Sequence, residues 1–309
     1  MDFLKWPLFF VCLCSKGSET EGSSWTIKVP SSVKGLPGSC LVIPCSFNYP
    51  DPGRVVTEFT GMWAEGEHEL IYHPDKLTVK QYQSRTELLG DISLKNCSFK
   101  IDPLRQSDQG PFYFRIEMAG YEKFSYKENR VSITMSVPNP IQFSVKEEVV
   151  EGDKVSASCS VSHSCPTSPP VFTWSHKGHT HVQPQQLDDG QWRATSTINF
   201  QATSADHNKP LKCTVTYHGG QHQTTSRDLK VKYAPEIKTA SACSSEADMV
   251  KCVCIAESKP PSMVYFVLSD RVLPSTEVEK HGFVTTGTLR AKFGSSQHPG
   301  QCQPHTPFT

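Results

Sequence analysis

Apolar residues arrive along the chain in short runs broken by Pro, Gly, Ser, Asn and Asp, and no long stretch keeps a helical period. Strand-length runs bounded by turn residues predict an all-β protein. The clearest alternation lies in Phe112-Tyr113-Phe114-Arg115-Ile116-Glu117. With Phe112 and Phe114 turned to a core, Tyr113, Arg115 and Glu117 point outward.

Three sets of landmarks divide the chain. Cys45 closes the run Cys40-Leu41-Val42-Ile43-Pro44, Trp63 follows in Gly61-Met62-Trp63, and Ser107-Asp108-Gln109-Gly110-Pro111-Phe112 forms a corner. A cysteine strand, a core tryptophan and an Asp-x-Gly-x-aromatic corner are ordered as in an immunoglobulin sandwich. The span between Trp63 and Cys97 leaves room for the extra strands of a variable-type domain, expected at 24–137. The Pro-rich junction Val137-Pro138-Asn139-Pro140 ends it, since proline cannot donate to a strand ladder. The pattern restarts with Cys159, Trp174 and Cys213 over a shorter span, which predicts a constant-type domain at 140–233 whose two sheets are tied by Cys159 and Cys213. After Tyr233-Ala234-Pro235, the run Cys252-Val253-Cys254-Ile255-Ala256 reads as the B strand of a third, partial domain at 235–293. The stretch 294–309 shows no alternation and is expected to be disordered.

The first residues carry Lys5 and then an apolar run from Trp6 to Cys14, followed by small and polar residues. This reads as a signal peptide at 1–18 rather than a buried first strand, because Gly, Ser and Glu follow where a strand would need a partner. Its removal takes Cys12 and Cys14, leaving ten of the twelve cysteines. An even number in an exported chain predicts disulfides. No later segment approaches the roughly 20 apolar residues of a membrane span, so the mature chain is expected to be extracellular and, as written, secreted.

Lys plus Arg balance Asp plus Glu at 31 each, so no overall charge recruits nucleic acid or an anionic membrane, and recognition by charge must be local. The sequence holds no Gly-x-Ser-x-Gly elbow, His-Glu-x-x-His helix or phosphate-binding glycine loop, so no catalytic residues are assigned and the chain is not expected to be an enzyme. His176, His179 and His181 have a spacing that can hold a metal, but a solvated turn without a nearby acid is the better reading, and no metal or cofactor is assigned. Asn96-Cys97-Ser98 makes Asn96 an N-glycan acceptor, with a disulfide-bound middle residue weighing against its use.

The cysteines depart from an ordinary sandwich. Phe114 stands two residues after the corner aromatic, where strand F would carry its cysteine, so Cys97, read as lying on strand E, must serve Cys45 and make the bridge run within one sheet. Cys40 and Cys165 each lie near a domain end, and a bond between them would staple the first domain to the second.

This arrangement, with Phe112-Tyr113-Phe114-Arg115, Trp25, Gly61-Met62-Trp63, Ser84-Arg85-Thr86, Asn96-Cys97-Ser98 and Gly120-Tyr121, resembles the sialic-acid-binding immunoglobulin-like lectins over about residues 24–290. Two features depart from the family pattern: Phe112 replaces the corner tyrosine, and the third domain, with Cys243, Cys252 and Cys254, is more similar to a member's last domain than to its third. Cys243 and Cys252 are counted among the disulfide cysteines. The partners of Cys254 and Cys302 stay open, Cys302 being within reach of a B-strand cysteine or else a free thiol.

The resemblance implies a cell-adhesion lectin in which Arg115 meets the carboxylate of a terminal sialic acid. A planar guanidinium offers two parallel charge-assisted hydrogen bonds that an ammonium cannot copy. Trp25 and Tyr121 match family positions that pack on the sugar, with Tyr121 on the strand after Arg115, and Ser125 matches a family threonine that bonds its hydroxyls. Taken alone, Trp25 fits a core or cap position equally well, and Arg115 fits a surface ion pair with Glu117 worth under about 1 kcal/mol. The implied partners are sialylated glycoproteins or gangliosides on cell surfaces, with cis or homo-oligomeric association among the family's options, and members are usually single-pass plasma-membrane proteins. The rival is an immunoglobulin-type adhesion receptor that binds a protein through the same sheet, with Arg115 as a hot spot. The loop at 65–76 is expected to choose between sialic acid linkages.

Overall fold

The computed structural model describes residues 24–188, 190–246, 249–268, 271–292 and 301–305. The signal peptide expected at 1–18, with Cys12 and Cys14, lies outside them, as does most of 294–309. Among the described residues the fold is all-β, with single-turn 3₁₀ segments at Ile92–Leu94 and Ser204–Asp206 and no α-helix. The chain forms two compact units. The first comprises the described residues up to Ser31 with Ile43–Lys100 and Gly110–Ser132; the second holds Ser32–Val42, Ile101–Gln109 and everything from Ile133 onward.

The first unit is organised by an antiparallel sheet in the order Lys123–Ser125, Phe112–Met118, Phe59–Glu65, Glu69–Tyr72. Its core is aromatic. Trp63 stacks on Phe99 with centroids 5.1 Å apart, and Phe114 packs 5.0 Å from Phe47. Trp63, Phe99 and Phe114 are fully buried. Phe114 therefore fills, with hydrocarbon, the place where a strand-F cysteine would reach across the sandwich. Cys45 bonds instead to Cys97, and the Cys97 amide also donates to the Cys45 carbonyl at 3.0 Å. The bridge thus joins two backbone segments already hydrogen-bonded to each other, beside the isolated pairing of Ser46 with Asn96. The indole Nε1 of Trp63 donates to the Cys97 carbonyl at 3.1 Å, tying the core tryptophan to the relocated bridge.

Cys97 is not on a strand as expected. Asp91 accepts from the Ser93 amide at 2.9 Å and its hydroxyl at 2.6 Å, starting the 3₁₀ turn Ile92–Leu94. Lys95 then adopts a left-handed φ of 61°, and the strand begins only at Phe99. Local side-chain bonding to the backbone outcompetes extended structure here.

In the second unit, a sheet of Gln142–Val145, Lys154–His163, Trp192–Gln201 and His179–Gln186 carries Cys159, which bonds to Cys213 on the sheet of Val171–Trp174, Pro210–Thr216 and His222–Asp228. This is the constant-type sandwich expected from the Cys–Trp–Cys order. Lys230–Ile237 then pairs in parallel with Glu148–Val150 and antiparallel with Met249–Lys259, so one strand runs from this sandwich into the next group of strands.

That third group holds a small core of Cys252, Cys254, Ala256, Val264, Phe266 and Leu289, and two disulfides, Cys243–Cys252 and Cys254–Cys302. Residues 301–305 correct the expectation of a disordered tail: Gln301–His305 pairs antiparallel with Met263–Leu268, and Cys302 is bonded rather than free. The ladder supplies the order that the polar sequence of this stretch does not advertise.

The two units divide within residues 24–137, the span expected for the first domain. Residues 32–42 and 101–109 group with the second unit because their bonds are there. Cys40 bonds to Cys165, the Val42 amide donates to Ser164, and His218 Nε2 meets Asp102 at 2.9 Å. Gln191 and Gln221 donate to the carbonyls of Lys34 and Pro37 at 2.8 and 2.7 Å. Beside the Cys40–Cys165 bond, His163 is buried, its Nδ1 accepting from the Cys165 amide at 3.3 Å. Burial pushes its pKa down to about 4.

Two outcomes are expected. Phe114→Ala removes a buried ring with no water to replace it, and denaturant unfolding is expected to show a loss of about 3–5 kcal/mol. For His163 the folded pKa lies below the unfolded value, so the unfolded chain binds the extra proton as pH falls. Stability is full above about 6.5 and falls as the pH drops toward about 4, by up to about 3 kcal/mol. Unfolding curves across that range check it, and His163→Gln should flatten the decline.

Candidate functional site

The strand Phe112–Met118 is fixed by its two faces. Phe112, Phe114, Ile116 and Met118 are buried toward the core, which sends Tyr113, Arg115 and Glu117 to the opposite face. In register, Arg115 lies across from Met62 on one side and Ser125 on the other, while Glu117 lies across from Thr60 and Lys123. Ser125 and Lys123 therefore stand beside Arg115 and Glu117 on the same face.

Around Arg115 the polar groups converge. Its Nη1 donates to Ser125 Oγ at 2.7 Å, and Nη2 and Nε donate to one oxygen of Glu117 at 2.9 and 3.3 Å. The other oxygen of Glu117 pairs with Lys123 Nζ at 3.0 Å. Side-chain exposure is 31% for Arg115 and 25% for Glu117, so the cluster is partly desolvated yet open to a ligand. The hydrogen bond from Lys123, joined by that from Arg115, overcomes the effect of burial and holds the Glu117 carboxyl below the usual carboxylate range.

His73, in the stretch 65–76, is within electrostatic reach of this carboxylate. Burial and nearby Lys76 push its pKa down against the pull of Asp75 and Glu117. Its Nδ1 accepts from the amides of Asp75 and Lys76, both at 3.0 Å, which fixes the ring over its own turn.

Other residues read from the sequence are placed differently. Tyr113 faces the same way as Arg115 but is buried: Lys127 and Arg130 lie over its ring at 5.6 and 5.9 Å, and its hydroxyl donates to the Glu67 carbonyl at 2.8 Å. Tyr121 is not on a strand. It sits in the turn after Gly120, whose φ of 67° reverses the chain, and its hydroxyl donates to the Pro50 carbonyl at 3.3 Å. Trp25 stacks on Phe124 at 4.4 Å and 10° between planes, with Tyr126 edge-on at 6.4 Å. Phe124 pairs with Ile116, on the side of the strand opposite Ser125, so the ring contacts of Trp25 belong to the aromatic edge of the core.

Sequence reasoning missed Lys123, His73 and Phe124. The signal for Lys123 was present, since it stands two residues before Ser125 as Glu117 stands two after Arg115. Asn96 is exposed, with its side-chain oxygen accepting from the Ser98 amide at 3.0 Å. His179 and His181 lie on the exposed strand His179–Gln186 rather than in a turn. His176 does have an acid nearby, Asp206 at 3.5 Å. Among the described residues no group of three or more His, Cys, Asp or Glu converges as a metal site.

The immunoglobulin domain family matches residues 137–231. Rat myelin-associated glycoprotein is 29% identical over 286 residues, covering 88% of this chain and 45% of that protein. Human sialic acid-binding Ig-like lectin 5 is 27% identical over 326 residues, covering 95% and 58%. Mouse myeloid cell surface antigen CD33 is 28% identical over 223 residues, covering 69% and 54%. The ectodomain of mouse nectin-like molecule 4 aligns with a TM-score of 0.39 and 19% identity over 90% of this chain and 99% of that one.

The fold is that of tandem immunoglobulin-like sandwiches. Similarity over most of the chain to myelin-associated glycoprotein and to several sialic acid-binding Ig-like lectins supports membership of that lectin family. The chain spans about half the length of these relatives.

Replacing Trp25 by Ala removes a stacked aromatic pair together with its buried area. The first unit is expected to lose about 1–2 kcal/mol in denaturant unfolding, whatever ligand is present.

Proposed function

We propose that this chain is the recognition part of a cell-surface lectin that binds terminal sialic acid, with Arg115 as the carboxylate contact. The observation that carries the reading is the guanidinium itself: partly exposed, on a strand pinned by its core face, and already engaged by a carboxylate. Its pairing with Glu117 through Nε and Nη2 shows that the guanidinium can hold a carboxylate, and its Nη1, which donates to the Ser125 hydroxyl, lies on the edge left for a second one. Ser125 stands directly across as a hydroxyl donor and acceptor, and Lys123–Ser125 forms one edge of its sheet, leaving backbone groups for the sugar's hydroxyls. The similarity to sialic acid-binding Ig-like lectins supports the choice of sugar.

The Trp25 and Tyr121 contacts expected from the resemblance are retained only in part. Tyr121 sits in the turn between the Arg115 and Ser125 strands with its hydroxyl on the Pro50 carbonyl, and is proposed to line the rim of the site. Trp25 braces Phe124, and so shapes the edge strand rather than touching the carboxylate. Asn96 is proposed as the glycan acceptor. A single sugar buries little surface, so each site is weak and adhesion comes from many sites on sialylated glycoproteins or glycolipids. Recognition of this kind takes place at the outer face of the cell. Among the described residues no helix is long and apolar enough to cross a membrane.

A glycan array probed with the multimerised protein tests the proposal. Arg115→Ala is expected to abolish sialoside binding with the fold intact by circular dichroism, and Arg115→Lys to weaken it about tenfold or more, since an ammonium cannot pair in two places. Binding to cells should vanish after sialidase treatment. Persistence through both sialidase and Arg115→Ala would instead identify a protein partner on the same sheet.

A further inference from the structure

Arg115 has two edges on which a carboxylate can make paired hydrogen bonds, Nε with Nη2 and Nη1 with Nη2. The first is occupied, because both of its nitrogens donate to the same oxygen of Glu117. The second is covered on one side only, by the Ser125 hydroxyl. These two neighbours differ in what they can do when a ligand arrives. A hydroxyl can rotate and become a donor to the incoming carboxylate. Glu117 is an acceptor only, and its charge repels a second carboxylate at the same guanidinium. Its grip on Arg115 is shared with Lys123, which holds its other oxygen at 3.0 Å from the edge strand.

We propose that Glu117 is an internal competitor for Arg115 that sets the strength of the site, that Lys123 restrains this competition, and that the ligand carboxylate enters on the Nη1/Nη2 edge with Ser125 as companion donor. The proposal rests on the sialoside reading of Arg115 given above. In the unliganded protein Glu117 already offsets the guanidinium charge, and a ligand carboxylate on the other edge shares Nη2 with it and meets its negative charge, so the ligand gains less than it would from an unpaired arginine. Weak monovalent binding is then a built property of the site as well as a result of small contact area.

The test is a titration of the full chain with the methyl α-glycoside of N-acetylneuraminic acid, followed by nuclear magnetic resonance. Glu117→Gln is expected to bind about fivefold more tightly, the size of a partly exposed ion pair. Lys123→Ala is expected to weaken binding in the native background and to have no further effect in the Glu117→Gln background. Equal weakening in both backgrounds would mean that Lys123 acts only as a general positive charge, and would overturn its restraining role. Should Glu117→Gln prove unstable, Glu117→Asp retracts the carboxylate by one methylene and is expected to tighten binding by a smaller factor. If Arg115→Ala abolishes binding while neither Glu117 variant tightens it, the competitor is wrong and the lectin reading stands. If Arg115→Ala binds like the native chain, the lectin reading itself fails.

Discussion

The packing of Phe112, Phe114, Ile116 and Met118 into the core is the constraint on which the rest of the site depends. A strand has only two faces, and a slip of one residue would exchange them all. Four buried apolar side chains on one face make that slip prohibitive, and so fix Arg115 on the other. In an ordinary sandwich a disulfide would help hold this strand to the opposite sheet. Here Phe114 holds it by packing against Phe47 and Trp63, while the covalent bond has moved to Cys45 and Cys97. The indole bond from Trp63 to the Cys97 carbonyl keeps the two devices in one network.

The outward face follows a different logic. Arg115, Glu117, Ser125 and Lys123 form a square on two adjacent strands, with each charged group touching at least one opposite or polar neighbour. A guanidinium left alone at this level of exposure would be costly to desolvate and loosely directed. Paired, it is held in one direction by Glu117 and Ser125. Under the proposed competition, that one contact both preorganises the guanidinium and lowers what a ligand can gain, so neither effect can be changed without the other.

The sequence made this face legible to different depths. Strand alternation placed Arg115 on the outward face because four strongly apolar residues fixed the phase, and the missing cysteine at Phe114 pointed Cys45 to Cys97. The state of Tyr113 was not legible, since it is buried by Lys127, Arg130 and Glu67, residues that alternation along its own strand says nothing about. Tyr121 was displaced from the expected strand by Gly120, whose positive φ marks a turn that could have begun one or two residues either side. The ring contacts of Trp25 were not legible because its partner Phe124 lies on a short edge strand, where half-buried aromatics do not reveal which face they serve. Residues 32–42 and 101–109 group with the second unit through bonds to residues more than a hundred positions away, such as Cys40–Cys165 and His218–Asp102.

The disulfides also bear on where such a protein works. The third group of strands buries six residues in its core, three of them within the cysteine-rich strand Met249–Lys259, and two bonds, Cys243–Cys252 and Cys254–Cys302, hold it together. A core of that size does not by itself offset the entropy of ordering its strands, and cross-links that restrict the unfolded chain make up the shortfall. Among the described residues all ten cysteines are bonded. Such a framework persists only in an oxidising compartment. An oxidising setting is therefore a condition of this fold's stability, independent of any argument from the arginine.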